Sequence, residues 1–447
     1  MRILHFSDLH IGIESYGRPL TDDDLKSGLS PGEGGMPPWF APGEDHRKYL
    51  GHSTRLVDFL CAFDELVAYA LENEIDLVLF SGDAYKNRDP SQTHQREFAR
   101  RVARLSDGGV PVFLLAGNHD LPHAAYRATA IQIFETLNVP LVTVAEELRV
   151  YDIETRGGPL QVLALPWPRR SDLLTRDDVR NIPYQEIKRL LEQKITDLLV
   201  DRAEQLDPSV PAVLAAHVSV DTAKVGSERM MMIGDDHVLR RSNLVALPVD
   251  YIALGHIHRR QELAHRSPGE IPTAVYPGSL QRVDFGEEEH DAKGFYVVEL
   301  DPQAPRGSRV KSATFRPVAA RAFATVDVTI PDDDPDPTAT VVRAIDRSRE
   351  RVANAIVRVR IKVTAALDPA LREREIRAAL ADRGAHSVAS VTREVERPRR
   401  VRLGAYGAES KSPEEMLQFY FETTSVSKER AEKLTAYARR LLETEEE

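Results

Sequence analysis

The chain has 447 residues, 42% of them hydrophobic and 29% charged, which is enough apolar content for a buried core and excludes wholesale disorder. Lysine and arginine total 59 against 70 aspartates and glutamates, a net charge of −11, so bulk positive charge is not available to hold nucleic acid. The one cysteine, Cys61, excludes an internal disulfide, and no apolar run approaches the roughly 20 residues of a membrane span, so a soluble cytoplasmic protein is expected.

Arg2–Ser7 reads as a buried strand, and Ile75–Ser81 and Val110–Ala116 repeat its pattern. Between the first two, Leu56, Phe59, Leu60, Phe63, Val67, Ala70 and Leu71 recur at helical spacing. A second helix is expected over Gln92–Leu105. Alternating strands and helices predict an α/β core with a largely parallel sheet, extended by strands at Ala212–Ala216 and Tyr251–Leu254. Residues 16–52 interrupt the first crossover with glycine- and proline-rich sequence, expected to be a loop on the surface.

Beyond Pro317 the texture changes. Strands at Phe323–Ile330, Ala355–Val363 and Ser387–Val395 alternate with helices near Thr338 and over Pro369–Arg383, predicting a small α+β domain at 317–395. An Arg-rich linker at 396–411 follows. Ser412-Pro413-Glu414-Glu415 has the form of a helix start, and Ser427 opens a second helix, giving a helical segment at 412–447. Met416, Leu417, Tyr420 and Phe421, then Leu434, Tyr437, Ala438 and Leu441, form apolar stripes on this pair.

The chemistry gathers at strand ends. The first strand closes with Ser7-Asp8-Leu9-His10, the second with Gly82-Asp83, and the third with Gly117-Asn118-His119-Asp120. His217 follows a later strand, and Gly255-His256-Ile257-His258 follows another. Any one of these is ordinary turn or core chemistry. Five at five strand ends are not, because ligands in α/β folds collect at the carboxyl ends of strands. Aspartate, asparagine and histidine without thiolate favour Mn²⁺, Fe²⁺ or Zn²⁺, and seven donors exceed the need of one ion. Two ions sharing a carboxylate is the economical arrangement.

The order DxH, GD, GNHD, H, GHxH resembles the calcineurin-like metallophosphoesterase superfamily, whose fold is a β-sandwich flanked by helices. Tyr276-Pro-Gly-Ser-Leu-Gln-Arg-Val-Asp-Phe-Gly286 and Gly294-Phe-Tyr-Val-Val298 further resemble the SbcD-type nucleases. The resemblance implies a nuclease domain at 1–316, a capping domain that positions DNA, and C-terminal helices that dock on an SbcC-like ATPase. It implies Asp8, His10 and His258 on one ion, Asn118, His217 and His256 on the other, and Asp83 bridging. His119 is similar to the histidine that assists the leaving 3′ oxygen. Two Mn²⁺ ions, DNA ends, hairpins and single strands as substrate, and a homodimer within a heterotetramer complete the expectation.

Two features depart from that pattern. Lys86 stands where many members place an aspartate or histidine, and its side chain would bind phosphate instead of orienting His119. Residues 16–52 are an insertion that would guard the site or lend Arg47 and Lys48 to DNA. Arg259, Arg260 and Arg282 are expected beside the site as backbone contacts, and the Arg393–Arg402 stretch as a further one. The alternatives are a phosphodiesterase for nucleotides or other small phosphoesters, and a catalytically weakened DNA-binding scaffold.

Overall fold

The computed structural model describes residues 1–27, 37, 39–122, 127–174, 182–225, 238–265, 271–286, 291–396, 417, 421 and 428–443. Two compact units divide the chain. One comprises Met1–Val328, Thr338–Arg360 and Arg372–Thr392, and the other Thr329–Pro337, Ile361–Leu371 and Arg393–Glu447.

The first unit is built on two six-stranded sheets. One orders Val310–Pro317, Gly294–Leu300, Arg2–Phe6, Leu77–Phe80, Val112–Leu115 and Val142–Ala145; the other orders Gln261–His265, Pro272–Tyr276, Tyr251–Gly255, Ala212–His217, Gly158–Leu165 and Arg149–Thr155. In the first sheet the four strands from Arg2–Phe6 to Val142–Ala145 run parallel and the pairings at the other edge are antiparallel, while in the second the middle neighbours are parallel and both edge pairs antiparallel. The element order alone predicts a largely parallel sheet, whereas the strands form two mixed sheets, the helix-flanked β-sandwich that the family resemblance implies. Strand pairing is non-local, and an alternation of strands and helices does not say which sheet a strand joins.

The period of two along each strand makes the sandwich. Ile3, Leu77, Leu79, Phe113 and Leu115 turn to one side and meet Val162, Ala164, Val213, Ala215 and Ala253 of the other sheet. Their neighbours Leu4, Phe6, Val78, Phe80 and Leu114 turn the other way, onto the helix Thr54–Glu72 and the helix Gln92–Asp107. The second sheet likewise sends Leu163, Leu214, Ala216 and Leu254 against the helix Tyr184–Ala203. Both faces of the central strands are buried, which is why they read as continuous apolar runs.

The insertion departs from expectation. Its described residues include a helix, Asp22–Ser27, and a 3₁₀ turn, His46–Tyr49, and Leu20, Phe40, Ala41 and Tyr49 are buried in the main core. The Ala41 N–H donates to Asp64 at 3.0 Å and the Tyr49 hydroxyl to Glu97 at 2.9 Å. Buried polar anchors of this kind are invisible in a Gly/Pro-rich sequence. Residues 28–36 and 38 lie outside the described residues.

The strands Phe323–Thr329, Ile356–Thr364 and Ser387–Glu396 form a separate three-stranded sheet, with the helices Pro337–Arg347 and Glu373–Asp382 between them in sequence. The helix Lys428–Glu443 is described, whereas Ser412, Met416, Tyr420 and most of the Arg-rich linker lie outside the described residues. Among the described residues no helix is long and apolar enough to cross a membrane.

Candidate metal centre

Parallel strands from both sheets end at the same place and deliver their donors there. Ser7 bridges to Ser279, and the Leu9 and His10 N–H groups both donate to the Asp83 carbonyl, at 2.9 and 3.0 Å, which ties the first two turns together. Asp8, His10, Asp83 and His256 all have positive φ, between 48° and 97°. Side chains seldom adopt that conformation, and such strain concentrates at functional sites. Gly117 must be glycine, since a Cβ there would stand 2.2 Å from an Asp83 carboxylate oxygen.

Among the described residues, seven titratable side chains fall into three overlapping groups. Asp8, His10 and His258 form one, Asp83, His217 and His256 another, and His10, Asp83 and His119 a third, with the donor atoms of each within 4.8 Å of one another. The Nε2 atoms of His10 and His258 are 2.8 Å apart. An Asp83 oxygen is 3.6 Å from His10 Nε2 and 3.3 Å from His217 Nε2, so it stands between the groups. The Asn118 amide oxygen lies 3.1 Å from both His217 Nε2 and His256 Nδ1. His217 Nδ1 donates to the Ser81 carbonyl at 2.6 Å, leaving Nε2 with the lone pair a ligand needs.

Asp8, His10, Asp83 and His217 are all at most 1% exposed. Burial raises the Asp8 carboxyl, partly offset by His217 and His258. Burial also pushes Asp83 upward, but facing His217 and His119 outweigh it and hold that carboxyl well below its usual range. Burial lowers His217, yet Asp83 and Asp8 prevail and raise it to about 9. Buried carboxylates need a countercharge, which a divalent cation held by these donors would supply. Nitrogen and oxygen donors without thiolate fit borderline divalent ions.

His119 is clamped beside this cluster. Its backbone N–H donates to Asp83 at 2.9 Å, and Nδ1 lies 2.7 Å from the Lys86 carbonyl oxygen. It is therefore the Lys86 backbone, not its side chain, that orients His119. Arg259 lies 3.7 Å from Asp291, and Arg260 covers the Phe315 ring at 4.3 Å. Arg282 is buried and donates to the Arg321 and Asp291 carbonyls at 3.2 and 2.7 Å.

Three residues were not singled out by sequence reasoning. Asp120 accepts from the N–H groups of Asp83, Ala84 and Gly117 at 2.8, 3.0 and 2.9 Å, and burial raises its carboxyl to about 7. Its place in Gly-Asn-His-Asp was the available signal. Buried Lys293 donates to the His258 carbonyl at 3.0 Å and to Ser279 Oγ at 2.8 Å. The Trp167 ring lies 4.8 Å from that of His256. Neither of these last two carried a sequence signal.

A family model described as calcineurin-like phosphoesterase matches residues 1–260. The chain is 24% identical over 306 residues to the SbcD component of the nuclease SbcCD from Bacillus subtilis, covering 68% of this chain and 67% of that protein. It is 26% identical over 295 residues to the SbcD component of the same nuclease in Escherichia coli, covering 64% of this chain and 62% of the relative. It is 31% identical over 318 residues to the DNA double-strand break repair protein Mre11 of Thermoplasma acidophilum, covering 70% and 66%. The chain thus spans about two thirds of the length of these relatives.

Proposed function

The chain belongs to the calcineurin-like phosphoesterase family, and from that premise we propose that it is a two-metal DNA nuclease of the SbcD type. The observation that carries this reading is Asp83, shared between donor groups from two sheets and bonded to the backbone of His119. Relatives named as part of a nuclease and as a double-strand break repair protein support DNA as the substrate class. We assign Asp8, His10 and His258 to one ion, Asn118, His217 and His256 to the other, and Asp83 to both. Mn²⁺ suits this mixed imidazole, carboxylate and amide set.

Bound there, two divalent ions would activate a water and neutralise charge on the entering and leaving oxygens. The chain's own residues do the rest. The Asp83 and Lys86 contacts fix the His119 ring and occupy Nδ1, which leaves Nε2 to hand a proton to the leaving 3′ oxygen. Burial lowers His119, opposed by Asp83, and an anionic phosphate beside it would favour the protonated ring. Lys86 and Arg259 are assigned to phosphate oxygens of the strand, and residues 317–395 to placing that strand over the metals.

Leu434 and Tyr437 on the helix Lys428–Glu443 are exposed. We assign this stripe to an SbcC-like ATPase, with the nuclease working as a homodimer on duplex ends and hairpins. Incubation with duplex, hairpin and mononucleotide substrates, with and without Mn²⁺, tests the function. Metal-dependent cleavage of the two DNAs is expected. Hydrolysis of the mononucleotide alone would contradict it.

A further inference from the structure

A cavity of about 500 Å³ lies on the three-stranded sheet, apart from the metal donors, and Arg347, Arg351, Arg358 and Arg360 line it with Asp327 as the one carboxylate. The spacing that brings them together is simple. Arg347 ends one helix and Arg351 lies four residues on in the next, Arg349–Val352, while Arg358 and Arg360 alternate with buried Val357 and Val359 on one strand. Four guanidinium groups around one concavity repel one another, and an anion seated among them would relieve that repulsion.

A solvated charged face would leave such side chains loose. Here three are held. Arg358 Nε donates to Thr325 Oγ1 at 2.8 Å and Arg351 donates to the Thr325 carbonyl at 3.2 Å. Arg360 donates twice to Asp327, at 2.6 and 2.8 Å. Phe285 supports the Arg358 guanidinium from below, 4.5 Å away. Fixed forks of this kind suit planar, multidentate recognition of phosphate. We propose that this cavity binds an anion carrying adjacent phosphate groups, which is the chemistry of a nucleic-acid strand and of a small oligophosphate alike.

The site also has a physical route to the metals. Phe285 sits on the loop that holds Ser279, whose N–H donates to the His258 carbonyl at 3.1 Å and which bridges to Ser7 beside Asp8. An anion that fixes Arg358 would steady this loop through Phe285. The strand version of the proposal rests on the nuclease reading, whereas the oligophosphate version does not.

The test uses full-length protein in EDTA, so that neither hydrolysis nor metal chelation enters the measurement. Calorimetry with inorganic tripolyphosphate and anisotropy with a labelled single-stranded oligonucleotide are run on wild type, Arg347→Gln and Arg358→Gln, with circular dichroism as the folding control. Both variants are expected to bind at least about tenfold more weakly, the worth of one charge-assisted contact of roughly 1.5 kcal/mol. The salt slope for the oligonucleotide should fall by about 0.7 for each arginine lost. Tripolyphosphate binding lost in the variants identifies a compact oligophosphate ligand, and loss confined to the oligonucleotide identifies a strand. Affinities for both probes unchanged in folded variants would overturn the proposal. Because metal is absent, that failure is separate from any failure of the nuclease reading.

Discussion

His119 Nδ1 lies 2.7 Å from the carbonyl oxygen of Lys86, so a main-chain acceptor, which no side-chain replacement removes, sets the ring's orientation. Lys86→Ala should therefore keep kcat and raise KM for DNA, as loss of a phosphate contact does. His119→Ala should lower kcat by about 10²–10⁴-fold, the usual worth of a positioned acid, with metal content unchanged. Steady-state kinetics on a duplex end separates the two. Equal kcat losses in both variants would show that the lysine side chain orients His119 after all.

Asp120 spends both carboxylate oxygens on three backbone N–H groups of the Asp83 and Gly117 turns. Asp120→Asn replaces one acceptor oxygen with an amide that faces those donors. The variant should lose about 10–100-fold in metal affinity, as outer partners of ligands do. Titration with Mn²⁺ followed by calorimetry measures this. Wild-type affinity would mean the turns hold their shape without it.

The first unit is held together internally by a buried ion pair. Arg321 Nε donates to the two Asp58 oxygens at 2.8 and 2.7 Å, and its Nη1 donates to the Asn354 carbonyl and amide oxygens at 2.8 and 2.7 Å. Arg55 is the second cation on Asp58, at 2.8 Å. Arg321→Ala should destabilise the protein by about 3–5 kcal/mol, because it breaks a buried pair and leaves its partners. Urea unfolding would show this as a lower midpoint. A midpoint within error of wild type would show that the Arg321–Asp58 pair does not hold the unit together.

His386 gives stability a pH dependence. Its Nε2 lies 3.0 Å from Thr54 Oγ1, and burial together with the Arg321 charge lowers its pKa to about 4, against 6.5 for a free imidazole. Between those values the unfolded chain binds more protons than the folded one. The contribution is complete above pH 6.5 and is lost as the pH falls toward 4. His386→Gln should flatten the stability profile in that window by up to about 1.4 kcal/mol per pH unit. Urea midpoints at pH 7, 5.5 and 4.5 decide it, and parallel profiles would count against His386.

Much of the centre was legible because a strand end fixes where a donor sits. Asp8, Asp83, Asn118, His217 and His256 follow strands whose apolar runs announce themselves, and the structure brings all five to one place. What was not legible is long-range or made by the backbone. Which strands share a sheet depends on pairings such as His217 with Gly255, which no local pattern encodes, so the sandwich was legible only through the family resemblance. The Lys86 carbonyl has the same chemistry whatever the side chain, so its role cannot be read from residue type. Nor does residue type say that Arg282 is buried with carbonyl partners.

Asp83 stands between two donor groups, and metal content per chain tests its role most directly. Wild-type protein equilibrated with Mn²⁺ should hold two ions, Asn118→Ala should mainly weaken one, and Asp83→Ala should lose affinity for both. Full two-ion occupancy in Asp83→Ala, with wild-type affinity, would contradict a shared carboxylate and the dinuclear centre built on it.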